Sequence, residues 1–368
     1  MLDSKKNSGV DVKLGDGCSK IAFEWAKKTF ANRQDHSGKP DSDLNGSYSN
    51  ILNFGDVRIS IASDGIGSKV ELAERMETYD TLGFDLLAMV VDDLVCNGSE
   101  PTNFSNVLDV SYLDKEIIDD LMKGLSLAAN FSSVAVSGGE IAELGERIQG
   151  YGSRMHFNWC GTGIGFFSRN ALPIDGGKIK PGDSIVSLKS GGLRSNGFSM
   201  ARRILEGAFG GEWHNKSSSL GRSWGEILLA PSLIYTPAIK KLFRMGVDVH
   251  GLVHITGGGI ASNLFRMLKK NFLGAVLENI FEPFPFMLEL QKMGKIKERK
   301  AYEMWNMGNG MLIVVDAKDL GKTLRTMKES GYQASFAGET TDSGKILLRS
   351  KGCYPEWLSY EDLLSGRS

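Results

Sequence analysis

Cysteine is scarce in this sequence: Cys18, Cys96, Cys160 and Cys353 are far apart and form no CxxC pair. A zinc ribbon and a disulfide scaffold are thereby excluded, and a reducing, cytoplasmic setting is expected. There is no excess of either charge, with 43 Lys and Arg against 44 Asp and Glu. No basic stripe stands out, so no nucleic-acid partner is expected. Apolar runs long enough to cross a bilayer are missing, so no membrane partner is expected either. The opening run MLDSKKNSGVDVKLGDG has no apolar h-region, which argues against secretion. Also missing are HExxH, a Ser–His–Asp order, a catalytic-Cys signature and a Walker A loop. GVDVKLGDG (9–17) has the flavour of a calcium loop but lacks its twelve-residue spacing and closing Glu.

Proline is also rare, at 9, whereas glycine reaches 45 in 368 residues. That is roughly one residue in eight against an average of about 7%, and it means tight turns and close backbone approaches rather than disorder. A glycine-rich, near-neutral chain of this length points to a soluble metabolic enzyme with two lobes. The periodicity predicts helices over 19–30, 80–96 (capped by Asp80 or Thr81), 114–130, 198–208, 226–245 and 260–270. Strands are predicted over 57–64, 103–110, the SVAVSGGE run, 157–167, SIVSL, 247–255, 274–280, 310–315 and 344–349. The polar stretch 31–50 reads as a mobile loop. The expected fold class is α/β (α+β), with lobes at 1–169 and 170–350 and an extension at 351–368.

Six segments carry residues suited to chemistry. Ser63-Asp64-Gly65-Ile66-Gly67-Ser68-Lys69 ends a strand; its glycines admit phosphates, Asp64 can hold a cation and Lys69 can face a phosphoryl group. On spacing alone, a plain turn with surface charges is the favoured reading. Asp92-Asp93 lies in the 80–96 helix, with Asp93 beside the apolar stripe and Asp85 on roughly one face with Asp92. A metal site and a solvated helix end both fit. Ser137-Gly138-Gly139-Glu140 reads as a strand entering a two-glycine turn. His254-Ile255-Thr256-Gly257-Gly258-Gly259 precedes a helix, whose free N–H groups suit an anion. Ser195-Asn196-Gly197-Phe198 leads into another helix, where Ser195 or Asn196 could simply be a cap. Trp305-Asn306-Met307-Gly308-Asn309-Gly310-Met311 reads, taken alone, as a β-turn.

Taken in order, GVDV, SDGIGSK, DTLGFDLLAMVVDDLVCNGSEP, SGGEIAE, SNGFSMARRIL, LLAPSLIY, VHGLVHITGGG and WNMGNGM resemble the aminoimidazole ribonucleotide synthetase, or phosphoribosylformylglycinamidine cyclo-ligase, family. The resemblance covers nearly the whole chain. It implies two α/β lobes, a homodimer that pairs the N-terminal sheets, and ATP with Mg²⁺ near the glycine-rich turns. The implied reaction is ATP-dependent closure of formylglycinamidine ribonucleotide to aminoimidazole ribonucleotide, through an iminophosphate. By this resemblance Lys69, Asp93 and His254 are catalytic, and Asp64, Asp92, Asp93 and Glu140 are metal ligands. Lys6, Asp64, Gly65, Gly67, Ser68, Lys69, Gly138, Gly139 and Thr256 to Gly259 would bind ATP or phosphate. Arg194, Ser195, Asn196, His254 and Asn306 would face the ribonucleotide.

The chain departs from the family pattern at ligand-facing loops. Asp92 stands where Asn is usual, and Arg194 where His precedes Ser-Asn-Gly. The glycine-rich loop is reduced to Asn45-Gly46-Ser47-Tyr48, and Leu144-Gly145-Glu146 replaces Met-Pro-Gly. Arg194, which cannot titrate, is expected to orient a phosphate. A paralogue on the same fold with another substrate, such as a thiamine-monophosphate kinase, is the alternative. A non-catalytic nucleotide binder is argued against by Asp64, Lys69 and Asp93.

Overall fold

The computed structural model describes residues 12–41, 48–169 and 171–361. The N-terminal lobe contains α1 (Val12–Lys28), β1 (Lys39–Pro40), β2 (Asn50–Asn53), β3 (Arg58–Gly65), α2 (Lys69–Met76), α3 (Leu82–Cys96), β4 (Glu100–Val110), α4 (Lys115–Ser132), β5 (Ala135–Glu143) and β6 (Phe157–Phe166). Its six-stranded sheet runs β1-β2-β3-β6-β4-β5. The C-terminal lobe contains β7 (Ser184–Lys189), α5 (Phe198–Phe209), α6 (Trp224–Leu228), α7 (Thr236–Arg244), β8 (Val249–His254), α8 (Gly259–Leu268), β9 (Gly274–Leu277), α9 (Pro285–Met293), α10 (Glu298–Met304), β10 (Asn309–Val315), α11 (Leu320–Glu329), β11 (Ala334–Thr341), β12 (Ile346–Arg349) and β13 (Trp357–Tyr360). Its seven strands run β13-β12-β9-β11-β7-β10-β8. The mixed α/β class expected from the sequence is the one observed, and β13 draws part of the expected C-terminal extension into the second sheet.

The first sheet has two unlike faces because β4 and β6 alternate. In β6, Phe157, Trp159, Gly161, Gly163 and Gly165 point inward, with partly or fully exposed residues between them. The glycines let α3 lie close: a Cβ at Gly163 would come within 2.7 Å of Val90 Cγ1 and 2.9 Å of Leu94 Cδ1. Helix α4 covers the same face, and its cap is explicit, since Asp114 accepts from the amides of Glu116 and Ile117. The opposite face, carrying Ile59, Ile61, Ile164, Phe166 and Val107, is exposed or half-buried.

Helix α3 joins the lobes. It packs on β3 and β6 on one side and on α7 and β8 on the other. A single hydrophobic core therefore runs through both lobes.

Several expectations need correction. The helix expected over 226–245 is two helices, α6 and α7, separated by a strap through Pro231. The strap is not helical because its amides bond to α3 instead: Ser232 N donates to Asp85 and Tyr235 N to Asp92. The expected two-glycine turn at Gly138-Gly139 is the middle of β5, paired in parallel with β4. Within 31–50, residues 39–40 pair with 52–53 as strand, while 42–47 lie outside the described residues. The N-cap of α3 is Thr81, without a side-chain bond.

Candidate active site

The site is built where the end of β3, α3 and the loops after β7 and β8 meet. Asp64 closes β3, and its Oδ1 accepts from Gly65 N at 2.7 Å. Gly67, at φ +67, completes the turn into α2. Asp93, on α3, meets His254 at the end of β8, with Oδ1 and Nδ1 2.6 Å apart. Burial first, and the neighbouring Asp93 charge with it, push the Asp64 carboxyl up to about 6, against the bond from the Gly65 amide. Burial also pushes Asp93 up, to about 7, against the pull of Arg266 and Arg194. His254 is driven down to about 3, first by burial and then by the Arg194 charge, so its ring is neutral. A neutral imidazole carries one N–H, and the Asp93 contact assigns it to Nδ1, which leaves Nε2 as an acceptor.

Four polar atoms in this region are buried with no protein partner: Arg194 Nε, Ser195 Oγ, Asn196 Nδ2 and His254 Nε2. Unpaired buried polar atoms are costly and rare, so their meeting here, from the 194–196 turn and the end of β8, marks a place where a ligand can supply the partners. Asn196 and the second glycine run adjoin, since a Cβ on Gly257 would sit 3.5 Å from Asn196 Oδ1. The run is shaped for α8: Gly258 (φ +90) is its N-cap, and Gly259 (φ +71) lies so close to Tyr302 that a Cβ would strike that residue's carbonyl. Asn263 ties the turn down by donating to the carbonyls of Gly257 and Gly259, at 3.2 and 2.8 Å. Thr256 Oγ1 contacts Asn263 Oδ1 at 3.5 Å. The first turn of α8 thus presents its amide ends beside His254.

Other expected site residues have different roles. Lys69 is fully buried; its Nζ pairs with Asp85 Oδ2 at 2.7 Å and donates to the Ala230 carbonyl at 2.7 Å. It is a buttress between α2, α3 and the strap, not a free cation for a phosphate. Asp92 is also consumed. Its Oδ1 accepts from Tyr235 N, Thr236 N and Thr236 Oγ1 at 2.9 to 3.0 Å, and its Oδ2 pairs with Arg194 at 3.1 Å. Both of its oxygens are thus engaged within the protein. Glu140 is exposed on edge strand β5, two strands beyond β6 from the Asp64 strand, and its register neighbours are Val107 and then Cys160. Gly138 and Gly139 share that strand, opposite Ser105 and Asn106 of β4. Arg194 is 1% exposed, and its two terminal nitrogens are already bonded inside the molecule, to the Gly310 carbonyl and Asp92. Asn306 spends its amide internally, on Gly192 O, Ser190 Oγ and Gly308 N. Ser68, at the start of α2, faces Ser199 Oγ at 3.3 Å. Neither Ser195 nor Asn196 caps α5, whose N-cap is Gly197. Lys6 lies outside the described residues.

Some contributors carried no sequence signal. Arg266 acts on Asp93 and stacks over the Tyr48 ring at 5.1 Å, while the Tyr48 hydroxyl donates to the Asn263 carbonyl. Only the tertiary fold brings Tyr48 and Arg266 to His254. Among the described residues, no three His, Cys, Asp or Glu side chains converge to hold a metal unaided. Asp64 and Asp93 alone fit a Mg²⁺ that draws its other ligands from phosphate and water, the usual arrangement for that ion. Their mutual repulsion and raised affinity for protons are what such a cation would relieve.

A carboxylate pair on one lobe, facing a glycine-rich helix start and unpartnered polar groups on the other, defines an interlobe enzyme site for a phosphorylated ligand. Residues 47–165 match the AIR synthase related protein N-terminal domain, and 180–350 match its C-terminal domain. A phosphoribosylformylglycinamidine cyclo-ligase of Methanothermobacter thermautotrophicus is 38% identical over 303 residues, 81% of this chain and 84% of that protein. The Pyrococcus furiosus cyclo-ligase is 32% identical over 345 residues, 94% of this chain and 97% of that protein. Among solved structures, the HypE–HypF complex superposes with a TM-score of 0.62 at 17% identity, covering 91% of this chain and 98% of that one. This last likeness concerns the fold alone. The chain belongs to the AIR synthase related family, on the branch of the phosphoribosylformylglycinamidine cyclo-ligases.

Proposed function

We propose that this chain closes the imidazole ring of formylglycinamidine ribonucleotide, converting it with ATP into aminoimidazole ribonucleotide, ADP and phosphate. The observation that carries the reading is the trio of buried, unpartnered atoms, His254 Nε2, Ser195 Oγ and Asn196 Nδ2, beside the Asp64–Asp93 pair in a chain of this family. An amide oxygen is a poor leaving group. Transfer of the ATP γ-phosphoryl group to it forms an O–P bond and releases ADP, and loss of the amide N–H proton to solvent leaves the C=N of an iminophosphate. The amidine nitrogen then forms the new C–N bond at that carbon, the C–O bond breaks, and the oxygen departs with phosphate while the nitrogen loses a proton.

Positioning is the main task of the protein in such a reaction. Ser195 and Asn196 bind the ribonucleotide, and the Thr256–Gly259 turn with the start of α8 receives phosphate. His254, held by Asp93, accepts a hydrogen bond through Nε2 from a substrate N–H and orients the amidine. Asp64 and Asp93 would hold Mg²⁺, which supplies charge neutralisation along the phosphates when bound. The exposed face of the N-terminal sheet is assigned to a homodimer, and the site of action to the cytoplasm.

The test is purified protein with ATP, Mg²⁺ and formylglycinamidine ribonucleotide, followed for ADP and for the aminoimidazole product. Equimolar formation of both is expected. ADP without aminoimidazole would move the assignment to another substrate on this fold.

A further inference from the structure

The two charged departures from the family pattern, Asp92 and Arg194, are 102 residues apart and form one ion pair across the lobe boundary. We propose that Arg194 and Asp92 work together as positioning residues, holding the 194–197 turn so that Ser195 Oγ and Asn196 Nδ2 face the ribonucleotide. The inference rests on the cyclo-ligase reading for the identity of that ligand.

The geometry assigns Arg194 an internal role. Its Nη2 donates to Asp92 Oδ2 and its Nη1 to the Gly310 carbonyl of β10, both at 3.1 Å, and its guanidinium lies 5.2 Å from the Tyr235 ring centre. The backbone at Arg194 is in the left-handed region, at φ +64, which a non-glycine residue occupies only when its surroundings enforce it. Here the enforcement comes from the anchored side chain. The next two residues carry the unpartnered Ser195 Oγ and Asn196 Nδ2.

Stability alone does not account for this pair. Arg194 Nε is itself buried without a partner, so the pair is incompletely satisfied, and a buried pair of that kind gains little over neutral residues. What it does supply is a fixed point. Asp92 is bound on its other oxygen to the first amides of α7, so the turn is referenced to both lobes at once. Asp93, the next residue of α3, sets His254 in the same way. Adjacent carboxylates thus register two substrate-facing groups from the second lobe.

The experiment compares wild type, Asp92→Asn, Arg194→His and the double variant, which restores the residues usual in the family. Each single variant is expected to raise the ribonucleotide KM by about tenfold or more, with the ATP KM moved less than about twofold. The double variant is expected to return to within about threefold of wild type, because contacting residues are energetically coupled. Arg194→Lys, which keeps the charge but not the fork, should fall between wild type and Arg194→His. A double variant no better than the worse single, an ATP KM rising in step, or a wild-type KM in Arg194→Lys would each overturn the proposal.

If wild type makes no aminoimidazole product, the cyclo-ligase reading fails separately. Amide hydrogen exchange over 193–198 then decides the positioning role in the same proteins. Faster exchange confined to that turn in the single variants, restored in the double, supports it; unchanged or uniformly faster exchange overturns it.

Discussion

At the scale of single residues, the carboxylates of α3 divide by what faces them. Asp85, Asp92 and Asp93 all cross to the second lobe, yet only Asp93 meets a side chain, His254, that itself carries one of the unpartnered atoms assigned to the ligand's direct hydrogen bonds, whereas Asp92 meets Arg194, which precedes two of them. Asp93→Asn keeps the shape and removes the charge. Turnover should fall by about a hundredfold or more with the fold intact; turnover within a few-fold of wild type, with an unchanged circular dichroism spectrum, would remove Asp93 from the chemistry. Lys69 makes the opposite case. Lys69→Met leaves Asp85 buried without its cation, and breaking such a pair costs about 3–5 kcal/mol. Urea unfolding should show that loss, while the ATP KM of the folded enzyme stays near wild type. A raised ATP KM with undiminished stability would restore the phosphate role to Lys69.

Among the elements, β6 and α3 form the unit that sets the site's depth. The alternation of Gly161, Gly163 and Gly165 with outward residues lets α3 sit directly on the sheet, which carries Asp93 to the level of Asp64 at the end of β3. Gly163→Ala pushes a methyl toward Val90 and Leu94, both in the packed interior. Overpacking of this kind costs about 1–3 kcal/mol. Thermal unfolding should record a lower Tm, with activity reduced because α3 is displaced outward. An unchanged Tm would mean that the helix rides on the sheet with slack. The strap before α7 shows the same dependence on context: its amides bond to α3 carboxylates, so its helix-like apolar period does not become a helix.

For the molecule as a whole, the uncovered sheet face is the feature that calls for a partner. Phe166 is 46% and Val107 40% exposed on the side of the sheet opposite α3 and α4, with Ile59, Ile61 and Ile164 between and beside them. An apolar face of this kind is suited to burial against a second copy of the chain. Light scattering at micromolar concentration should give the mass of a dimer. Val107→Lys combined with Ile164→Lys should shift it to a monomer with its secondary structure retained. A monomeric wild type would leave the face to a different partner.

Local pattern was enough for β3, β6, α4 and the glycine turns at 65–67 and 257–259, though not for Gly138-Gly139, because strand alternation and glycine spacing are encoded within a few residues. The same holds for the ordered motifs that marked the family and, through it, Asp64, Asp93 and His254. Sequence could not separate Asp92 from Asp93, or Lys69 and Arg194 from exposed cations. A carboxylate or a guanidinium has the same composition whether it meets water, a metal or a buried counter-charge. Which one it meets depends on tertiary neighbours: Arg194 is 102 positions from Asp92 and His254 161 from Asp93, while Lys69 meets Asp85 on another helix and the Ala230 carbonyl 161 positions on. That choice was made only when α3 packed between the two sheets, pairing Asp92 with Arg194 and Lys69 with Asp85 in the dry interior and leaving Asp93 beside His254 at the edge of the site.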